Sequence, residues 1–522
     1  IPLMSGIWAK NILPATYMNT FPGEPESMIQ WGHLYASSST VDLNVIMGPA
    51  IALRAFAGTP EAAYANYWIR NLLPATNVRF GTTPINYFWT EANLNRALGT
   101  NDPETSSFLT QSWLYLFTDP ADPATNLSEA PLQKGFNVTD AAQYPIAHFI
   151  SRTSLTDFNA TVVELYADYL VNNNNSDHFW QGLGHPASYK ILKNNYLLAE
   201  DDVGPANPDN LFSGGYTVGF DGSGQQSNYI QLGDDSTLEN DSGGQHVLMP
   251  KAYDSNNNAA YALVDATHAY TNSPTRVYRH LMHLKKPGTQ EFVFVYDDVA
   301  TRGAVKKTTF LHYANNGSAP RGTTTYAAGV ITSNYPGTGH GDATQLLSEV
   351  FSPAGPGKVA IKADGASYTG GGGNSYRFSL CASVDGSTCD ANNTNAEFLV
   401  VHMPVLGTNN SMPDITGFSG PYFAGVQVGG TSPKIALFPR NGQIYSSASF
   451  VATYAGTAQI GVAGLLPGRY TVSLNSQPLA VATVAADGFL YTEGPSGTYS
   501  ISGRPSAGFQ LQKGAVQGGK TQ

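Results

Sequence analysis

The sequence predicts an α+β protein of several domains: a helical N-terminal part, then a large antiparallel β-sandwich, then a small C-terminal β-unit. Two observations predict this order. Through residues 1–170, apolar residues recur at three- and four-residue spacing, which is the period of amphipathic helices. After about residue 185 that period disappears. Apolar and polar residues then alternate between Asn-, Gly- and Asp-rich turns, as expected of half-buried strands.

The helical spacing is confined to four segments, which Gly, Pro and Asn separate. They are residues 40–58, 60–73, 90–99 and 104–117. Short antiparallel helices are expected from segments of this length and punctuation.

Alternating runs define the β part of the chain. They are residues 189–199, 291–300, 308–314, 396–404 and 434–439. We therefore predict a sandwich over residues 171–445, following the helical residues 1–170. Short strands with Gly/Pro turns predict a separate β-domain or closing sheet over 446–502, and the polar residues 503–522 are expected to form a loose tail.

Composition and charge narrow the possible partners. Only 12% of the residues are charged, and 27 basic residues stand against 38 acidic ones, a net charge of −11. This balance argues against a nucleic-acid binder, whose basic footprint should be visible. No apolar run approaches the length of a membrane span. An anionic sugar polymer remains compatible, because a locally basic cleft is enough to bind it.

The two cysteines bear on the compartment. Cys381 and Cys389 are separated by seven residues, which suits a local disulfide in an oxidising environment; two free thiols are the alternative. The first residues lack the basic start and apolar core of a signal peptide, so we expect that one was removed or lies upstream. The protein is expected to be exported, to the periplasm or the cell exterior.

The sequence contains none of the motifs that mark nucleotide enzymes, zincins or serine hydrolases. The richest cluster of reactive side chains is residues 172–202, where His178 and His185 lie in a Gly-rich loop just before a strand. Loops on a rigid scaffold commonly present catalytic groups. Two exposed or capping histidines are the simpler interpretation of this segment alone.

This segment resembles the junction between helical toroid and β-sandwich in the heparinase II/III family of polysaccharide lyases. The family has an arginine-bearing strand, an exposed D-H-x-H-x-D loop and a strand leading to an Asp. Here Arg152 to Thr161, Asp177-His178 and Ser188 to Asp201 are similar to them in order. Residues 262–299, with ALVDATHAY and a later Arg, resemble the family's sandwich signature, and residues 24–39 its inner toroid helix. The resemblance implies that the N-terminal helices form an incomplete α/α toroid.

The chain departs from the family at the histidine loop, where His185 follows His178 at a longer spacing. Some members hold a structural zinc through a later His-Asn pair, but Ser227-Asn228 stands here. We therefore expect no metal and no cofactor.

The resemblance implies β-elimination on a uronic-acid-containing polysaccharide, the expected partner. A base removes the C5 proton, an acid protonates the departing oxygen, and a cation or hydrogen-bond donor neutralises the carboxylate. Tyr35 and His178 are the expected acid–base pair, and Arg152 is expected to bind the carboxylate or a neighbouring sugar. His33, His185, Trp180 and Trp31 are the further substrate-binding candidates.

Each assignment has a structural alternative. Tyr35 is one of 29 tyrosines, and Arg152 has a nearby carboxylate, Asp157, with which to pair. Arg279, His280 and His283 are expected to line a sheet face rather than to bind metal. At the level of function, the alternatives are a non-catalytic carbohydrate-binding or surface protein that keeps the lyase scaffold and, third, a toroid glycoside hydrolase.

Overall fold

The computed structural model describes only part of the 522-residue chain. The described residues are 13–14, 17–18, 20–21, 24–28, 52–53, 55–68, 71, 79–80, 83–84, 121–136, 148–166, 187, 189–194, 196–199, 230–232, 248–253, 256–267, 274–315, 323–335, 342–353, 358–370, 373–388 and 393–505. They divide into two compact units, within residues 1–413 and within residues 414–522.

The described elements are mostly strands. The strands of the first unit are β1 Thr20–Phe21, β2 Glu24–Met28, β3 Arg79–Phe80, β4 Thr83–Pro84, β5 Gln133–Phe136, β6 His148–Arg152, β7 Thr161–Tyr166, β8 Tyr189–Lys193, β9 Tyr196–Ala199, β10 Ile230–Leu232, β11 Leu248–Tyr253, β12 Ala259–Asp265, β13 Pro274–Leu284, β14 Phe292–Val305, β15 Lys307–Asn315, β16 Thr323–Ala327, β17 Val330–Tyr335, β18 Thr344–Phe351, β19 Val359–Gly370, β20 Gly373–Ala382 and β21 Asn393–Leu406.

Those of the second unit are β22 Ile415–Ser419, β23 Phe423–Val428, β24 Lys434–Pro439, β25 Ser447–Val462, β26 Gly468–Leu474, β27 Gln477–Val484 and β28 Leu490–Pro505.

Two antiparallel sheets form the body of the first unit. The first sheet has the order β19-β20-β15-β9-β8-β7-β6-β5, with β10 also paired to β15; the second has the order β11-β12-β13-β14-β21-β18-β17-β16. One continuous apolar core takes residues from both, such as Val163 and Ile191 from the first and Val295 and Val400 from the second. The sheets therefore pack face to face as a β-sandwich.

The predicted helical part is only partly described. One α-helix, α1 at Pro60–Tyr67, falls inside the predicted segment 60–73. Its start follows ordinary capping rules, since the Thr59 hydroxyl accepts from the Ala62 N–H and Pro60 occupies the first turn. The segments 90–99 and 104–117 lie outside the described residues, so the toroid stays a prediction. Glu24–Met28, which the resemblance placed on a helix, is a strand paired with Thr20–Phe21.

Both predicted boundaries of the sandwich differ from the structure. Strands β5, β6 and β7 lie within the predicted helical residues 1–170, yet they form one end of the first sheet. At the other boundary, β22 to β24 belong to the second unit, which begins at Asp414 rather than at residue 446.

The second unit is a single seven-stranded sheet with the order β22-β23-β24-β25-β28-β26-β27. Its pairs are antiparallel except for β24 and β25, which run parallel. The unit has its own core, in which Phe450 stacks on Tyr499 with ring centroids 5.0 Å apart. β28 extends through Pro505, so residues 503–505 of the predicted tail belong to this sheet instead, and residues 506–522 lie outside the described residues.

Candidate active site

The predicted histidine loop is the connection between β7 and β8. These strands are antiparallel neighbours, and Leu165 near the end of β7 pairs with Tyr189 at the start of β8. Six of the predicted site residues lie outside the described residues. They are Trp31, His33, Tyr35, His178, Trp180 and His185. Their roles stay predictions, and the described residues define the scaffold on which the loop is mounted.

A buried ion pair holds the point at which the chain enters β8. The guanidinium of Arg279 on β13 donates from Nε and Nη2 to the two carboxylate oxygens of Asp297 on β14, at 2.7 and 2.8 Å. Its Nη1 also donates to the Ala187 carbonyl at 2.8 Å. Ala187 has a φ of 63°, which is uncommon for a residue with a Cβ. Arg279 thus fixes a strained backbone position at the C-terminal end of the histidine loop.

Tyr189 continues this network into the second sheet. Its ring lies against the Arg279 guanidinium, 5.4 Å from ring centroid to Cζ, and its hydroxyl is 3.0 Å from Nε2 of His402. Nδ1 of His402 is 2.7 Å from the Ser348 hydroxyl. Burial, reinforced by the charge of Arg279, lowers the pKa of His402 to about 3. His402 is therefore neutral at physiological pH and serves as a hydrogen-bonding bridge.

Four charged or titratable side chains lie on the opposite face of the first sheet, away from the inter-sheet core. We call His148, Arg152, Glu164 and Lys190 the outer-face cluster. Glu164 is the cross-strand partner of Lys190, and its Oε2 lies 3.9 Å from His148 Nε2. All four are less than 10% exposed. The cluster therefore brings three nitrogen-bearing side chains and one acid together in a buried environment.

Burial controls the protonation of this cluster. Burial lowers the pKa of His148 well below its usual range, and the positive charge of Lys190 lowers it further. Burial also lowers the pKa of Arg152 to about 9, although Glu164 partly offsets that change. His148 is thus a neutral imidazole at pH 7, whereas Arg152 keeps its charge.

Arg152 is the one predicted catalytic or substrate-binding residue that the structure describes. Its guanidinium is fully buried and donates to two backbone oxygens, from Nη1 to Met18 at 2.6 Å and from Nε to Ser154 at 3.2 Å. These contacts tie the N-terminal chain to the sheet. They favour a structural or positioning role over direct contact with a sugar, and the predicted partner Asp157 instead accepts from the Asn159 N–H.

A second polar network lies between the sheets near Arg152. His283 is 3.0 Å from the Ser151 hydroxyl through Nδ1 and 3.2 Å from Glu291 through Nε2, an arrangement that superficially matches a Ser–His–acid triad. Lys193 also donates to Glu291, at 2.8 Å. Ser151 and His283 are fully buried, so no substrate reaches them. Arg279 and His283 lie on the core-facing side of β13, as their contacts with Ala187 and Ser151 show, whereas His280 lies on the opposite side, 2.8 Å from the Tyr261 hydroxyl. The prediction that the three residues line one sheet face is therefore right for Arg279 and His283 and wrong for His280.

The remaining predictions concern a disulfide bond between the two cysteines, a metal site and a membrane-spanning segment. Cys381 is disulfide-bonded. Its predicted partner, Cys389, lies outside the described residues. Within the described parts of the chain, no three His, Cys, Asp or Glu side chains are grouped as metal ligands, and no helix has the length and apolarity needed to cross a membrane.

Four residues of these networks were not predicted to have a role: Glu164, Lys190, Asp297 and His402. Glu164 and Lys190 are cross-strand neighbours, Asp297 pairs with Arg279 on the preceding strand, and His402 has its partner, Tyr189, far away in the sequence. The periodic signal of strands β6 and β7 was also weak, since residues of both faces are buried. A charged residue within a short run of apolar strand residues was the only available indication.

No protein-family model matches the chain, and neither does any curated protein. Among solved structures, it is similar to the heparan sulfate lyase HepC from Pedobacter heparinus, with 12% identity, a TM-score of 0.40 and coverage of 78% of this chain and 67% of that one. It is also similar to a heparinase III, with 10% identity, a TM-score of 0.41 and coverage of 83% and 62%.

A further heparinase III gene product has 14% identity and a TM-score of 0.38. The match includes 66% of this chain, and the chain spans 46% of the length of that protein.

Proposed function

We propose that this protein is a polysaccharide lyase that cleaves an acidic, uronate-containing polysaccharide by β-elimination. The observation that carries the proposal is the contact between the two stretches of sequence that resemble the lyase family. Arg279, from the sandwich signature, binds the Ala187 carbonyl at the end of the histidine loop. Lys285, which follows the same strand, donates to the Arg152 carbonyl at 2.5 Å. Two motifs separated by about a hundred residues therefore form one scaffold.

The buried outer-face cluster belongs to the scaffold of the loop, so the groups that meet the substrate are assigned to the loop and to the N-terminal residues. Glu164 and Lys190 of the outer-face cluster lie on β7 and β8, the strands that the histidine loop connects, whereas His148 and Arg152 lie on the neighbouring β6. In β-elimination the carboxylate must be neutralised before the C5 proton leaves, because the resulting dianion is otherwise very costly. We assign proton abstraction and leaving-group protonation to Tyr35 and His178, and subsite contacts to His33, His185, Trp180 and Trp31. Arg152 positions the sheet under the loop.

Ultraviolet absorbance tests the reaction directly. β-Elimination leaves a double bond conjugated to the carboxylate, a chromophore that hydrolysis does not create. The full chain would be incubated with heparan sulfate, hyaluronan, chondroitin, alginate and glucuronan. A rise in absorbance on one polymer supports the lyase and identifies its substrate, whereas reducing ends without absorbance would indicate a glycoside hydrolase.

Two substitutions test the assigned roles. His178→Ala and Tyr35→Phe should each reduce turnover at least a hundredfold, the lower range of a lost acid–base group, with little change in melting temperature. Tyr326→Phe is the matched control, because Tyr326 lies on β16 and is 41% exposed. Full activity in both site variants would rule out this acid–base pair while leaving a lyase function open.

The second candidate function is carbohydrate binding without catalysis. The longer spacing between His178 and His185 than in the family motif favours it. Binding to a uronate polymer with flat absorbance across the whole panel would support this candidate over the lyase.

A further inference from the structure

The second unit differs in charge from the chain as a whole. The full sequence has a net charge of −11, but residues 414–522 contain six basic and three acidic residues. The acidic ones are Asp414, Asp487 and Glu493. Asp487 accepts from the Phe489 N–H and Glu493 accepts from the Tyr491 hydroxyl, so both have local partners. Among the basic residues, Lys434 is buried and Lys513 and Lys520 lie outside the described residues, so Arg440, Arg469 and Arg504 are the cations that the described sheet presents.

Two arginines face each other across neighbouring strands of this unit. Arg469 on β26 is the direct cross-strand partner of Arg504 on β28, and both are exposed. Side chains at directly opposed positions have Cβ atoms about 5 Å apart, and like charges placed there are destabilising. Within the described residues, neither guanidinium forms an ion pair with a carboxylate. An anion from outside the unit would relieve this repulsion.

The surroundings of the pair are polar but uncharged. We call the surface around it the arginine face. In addition to Arg469 and Arg504, it comprises Thr471, Val481, Thr483 and Ser502. Thr483 is the partner of Arg469, and Thr471 lies between Val481 and Ser502. Val481 is 57% exposed. The face therefore offers two guanidinium groups, three hydroxyl groups and one apolar contact on a regular sheet.

We propose that the arginine face is an accessory binding site for an anionic polysaccharide, distinct from the histidine loop. The two guanidinium groups bind a carboxylate or sulfate, since guanidinium matches the geometry of such groups with paired hydrogen bonds. The Thr and Ser hydroxyls bond the sugar hydroxyls, and Val481 contacts an apolar ring edge. The preference for anions follows from the geometry alone, whereas the identification of the polymer as a polysaccharide rests on the proposed function.

The size of the basic surface favours a polysaccharide over a nucleic acid. Nucleic-acid binders commonly neutralise many phosphates, whereas only two arginines lie on this face. A uronate or sulfated polymer carries its charges on separate sugars with hydroxyl groups between them. The paired arginines, flanked by Thr483, Thr471 and Ser502, suit one anionic group with sugar hydroxyls on either side of it.

Binding of heparan sulfate and hyaluronan to the full chain, measured by calorimetry at low salt, tests the proposal. The double variant R469S/R504S should bind about tenfold more weakly, equivalent to about 1.4 kcal/mol. Its affinity should also depend less steeply on salt, because fewer counterions are released. The control variant R302S/K358S removes two exposed cations from the first unit and should bind as the unaltered protein does.

A single charge reversal keeps the test valid if the double variant fails to fold. R504E places a carboxylate opposite Arg469, so it should raise the melting temperature of the unit and weaken binding. Equal binding by R504E, R469S/R504S and the control would overturn the proposal, as would stronger binding of single-stranded DNA than of either polysaccharide. Failure of the lyase proposal is a separate result, because it is detected by absorbance and leaves these affinities unchanged.

Discussion

Arg279 and Asp297 illustrate at the residue scale how the fold holds its charges. Both side chains are almost completely buried, and Asp297 also accepts from the Thr309 hydroxyl at 2.8 Å. A buried ion pair contributes modestly to net stability, because desolvation offsets much of the attraction. Its larger effect appears when one partner is lost, since the remaining charge is then buried without compensation.

We expect Asp297→Asn to lower the free energy of unfolding by about 3–5 kcal/mol, because Arg279 is left buried without its counter-charge. Denaturant unfolding of the first unit would measure this change. The double variant Arg279→Met/Asp297→Leu is the control, and it should recover much of the loss. A double variant that is as unstable as the single one would contradict the argument from charge.

The titration of His402 should make the free energy of unfolding depend on pH, in a direction that follows from its pKa. Its pKa is about 3 in the folded protein and about 6.5 when unfolded, so acid protonates the unfolded state first. The contribution of His402 to stability is complete above pH 6.5 and is lost as the pH falls toward 3. Replacing it with Gln should therefore reduce the slope of unfolding free energy against pH, by up to about 1.4 kcal/mol per unit between pH 6 and 4.

Urea unfolding across that pH range would measure the slope. Ser348→Ala is the control, because it removes a hydrogen-bond partner of His402 but keeps the titrating imidazole. If Ser348→Ala and His402→Gln flatten the pH profile equally, protonation of His402 is not the cause.

At the scale of elements, the sequence predicted strands well where one face of the strand was apolar or where a long run of apolar residues occurred. Residues 291–300 form most of β14, residues 434–439 form β24, and residues 189–199 form β8 and β9. It failed at β6 and β7, where Arg152 and Glu164 are as buried as their apolar neighbours. Polar and apolar residues do not alternate along a strand that is buried on both faces. Such a strand can therefore be identified only from its pairing in the folded structure.

The hairpin between β26 and β27 allows a test of turn chemistry. Its two connecting residues, Asn475 and Ser476, have φ of 49° and 67°, as a type I′ turn requires. Asn475 tolerates this conformation and its side chain accepts from the Thr498 N–H, but Ser476 carries the strain of a Cβ. Ser476→Gly should therefore stabilise the second unit by roughly 0.5–1 kcal/mol.

Thermal unfolding of the second unit would show this gain as a higher melting temperature. The matched control is Ser449→Gly, at an exposed position within β25, where glycine should destabilise by a similar amount. Destabilisation by both substitutions would mean that the turn does not strain Ser476.

At the scale of the whole molecule, the chain contains two units with separate cores. The sequence did not locate the boundary between them, because alternating strands with Gly-rich turns occur on both sides of Asp414. It also did not reveal how the predicted site is supported. The Arg279–Ala187 and Tyr189–His402 contacts join residues that are far apart in the chain, and no local pattern predicts such pairs.

Because the second unit has its own core, we expect it to fold without the first unit. A fragment of residues 414–505 should unfold cooperatively in denaturant, since its seven strands pair with one another and enclose their own apolar cluster. Circular dichroism and dispersed amide resonances would measure this. An unstructured fragment would show that the strands depend on the first unit.

The order of pairing in the sandwich has a consequence for how the chain acquires its structure during synthesis. Ala199 pairs with Tyr313, and Val293 pairs with His402, so both sheets join strands made about a hundred residues apart. Such distant pairings form slowly and leave strand edges open in the meantime. As the ribosome adds residues, the second sheet stays incomplete until β21 has emerged. The nascent first unit therefore exposes unpaired strand edges and apolar surface over most of its synthesis.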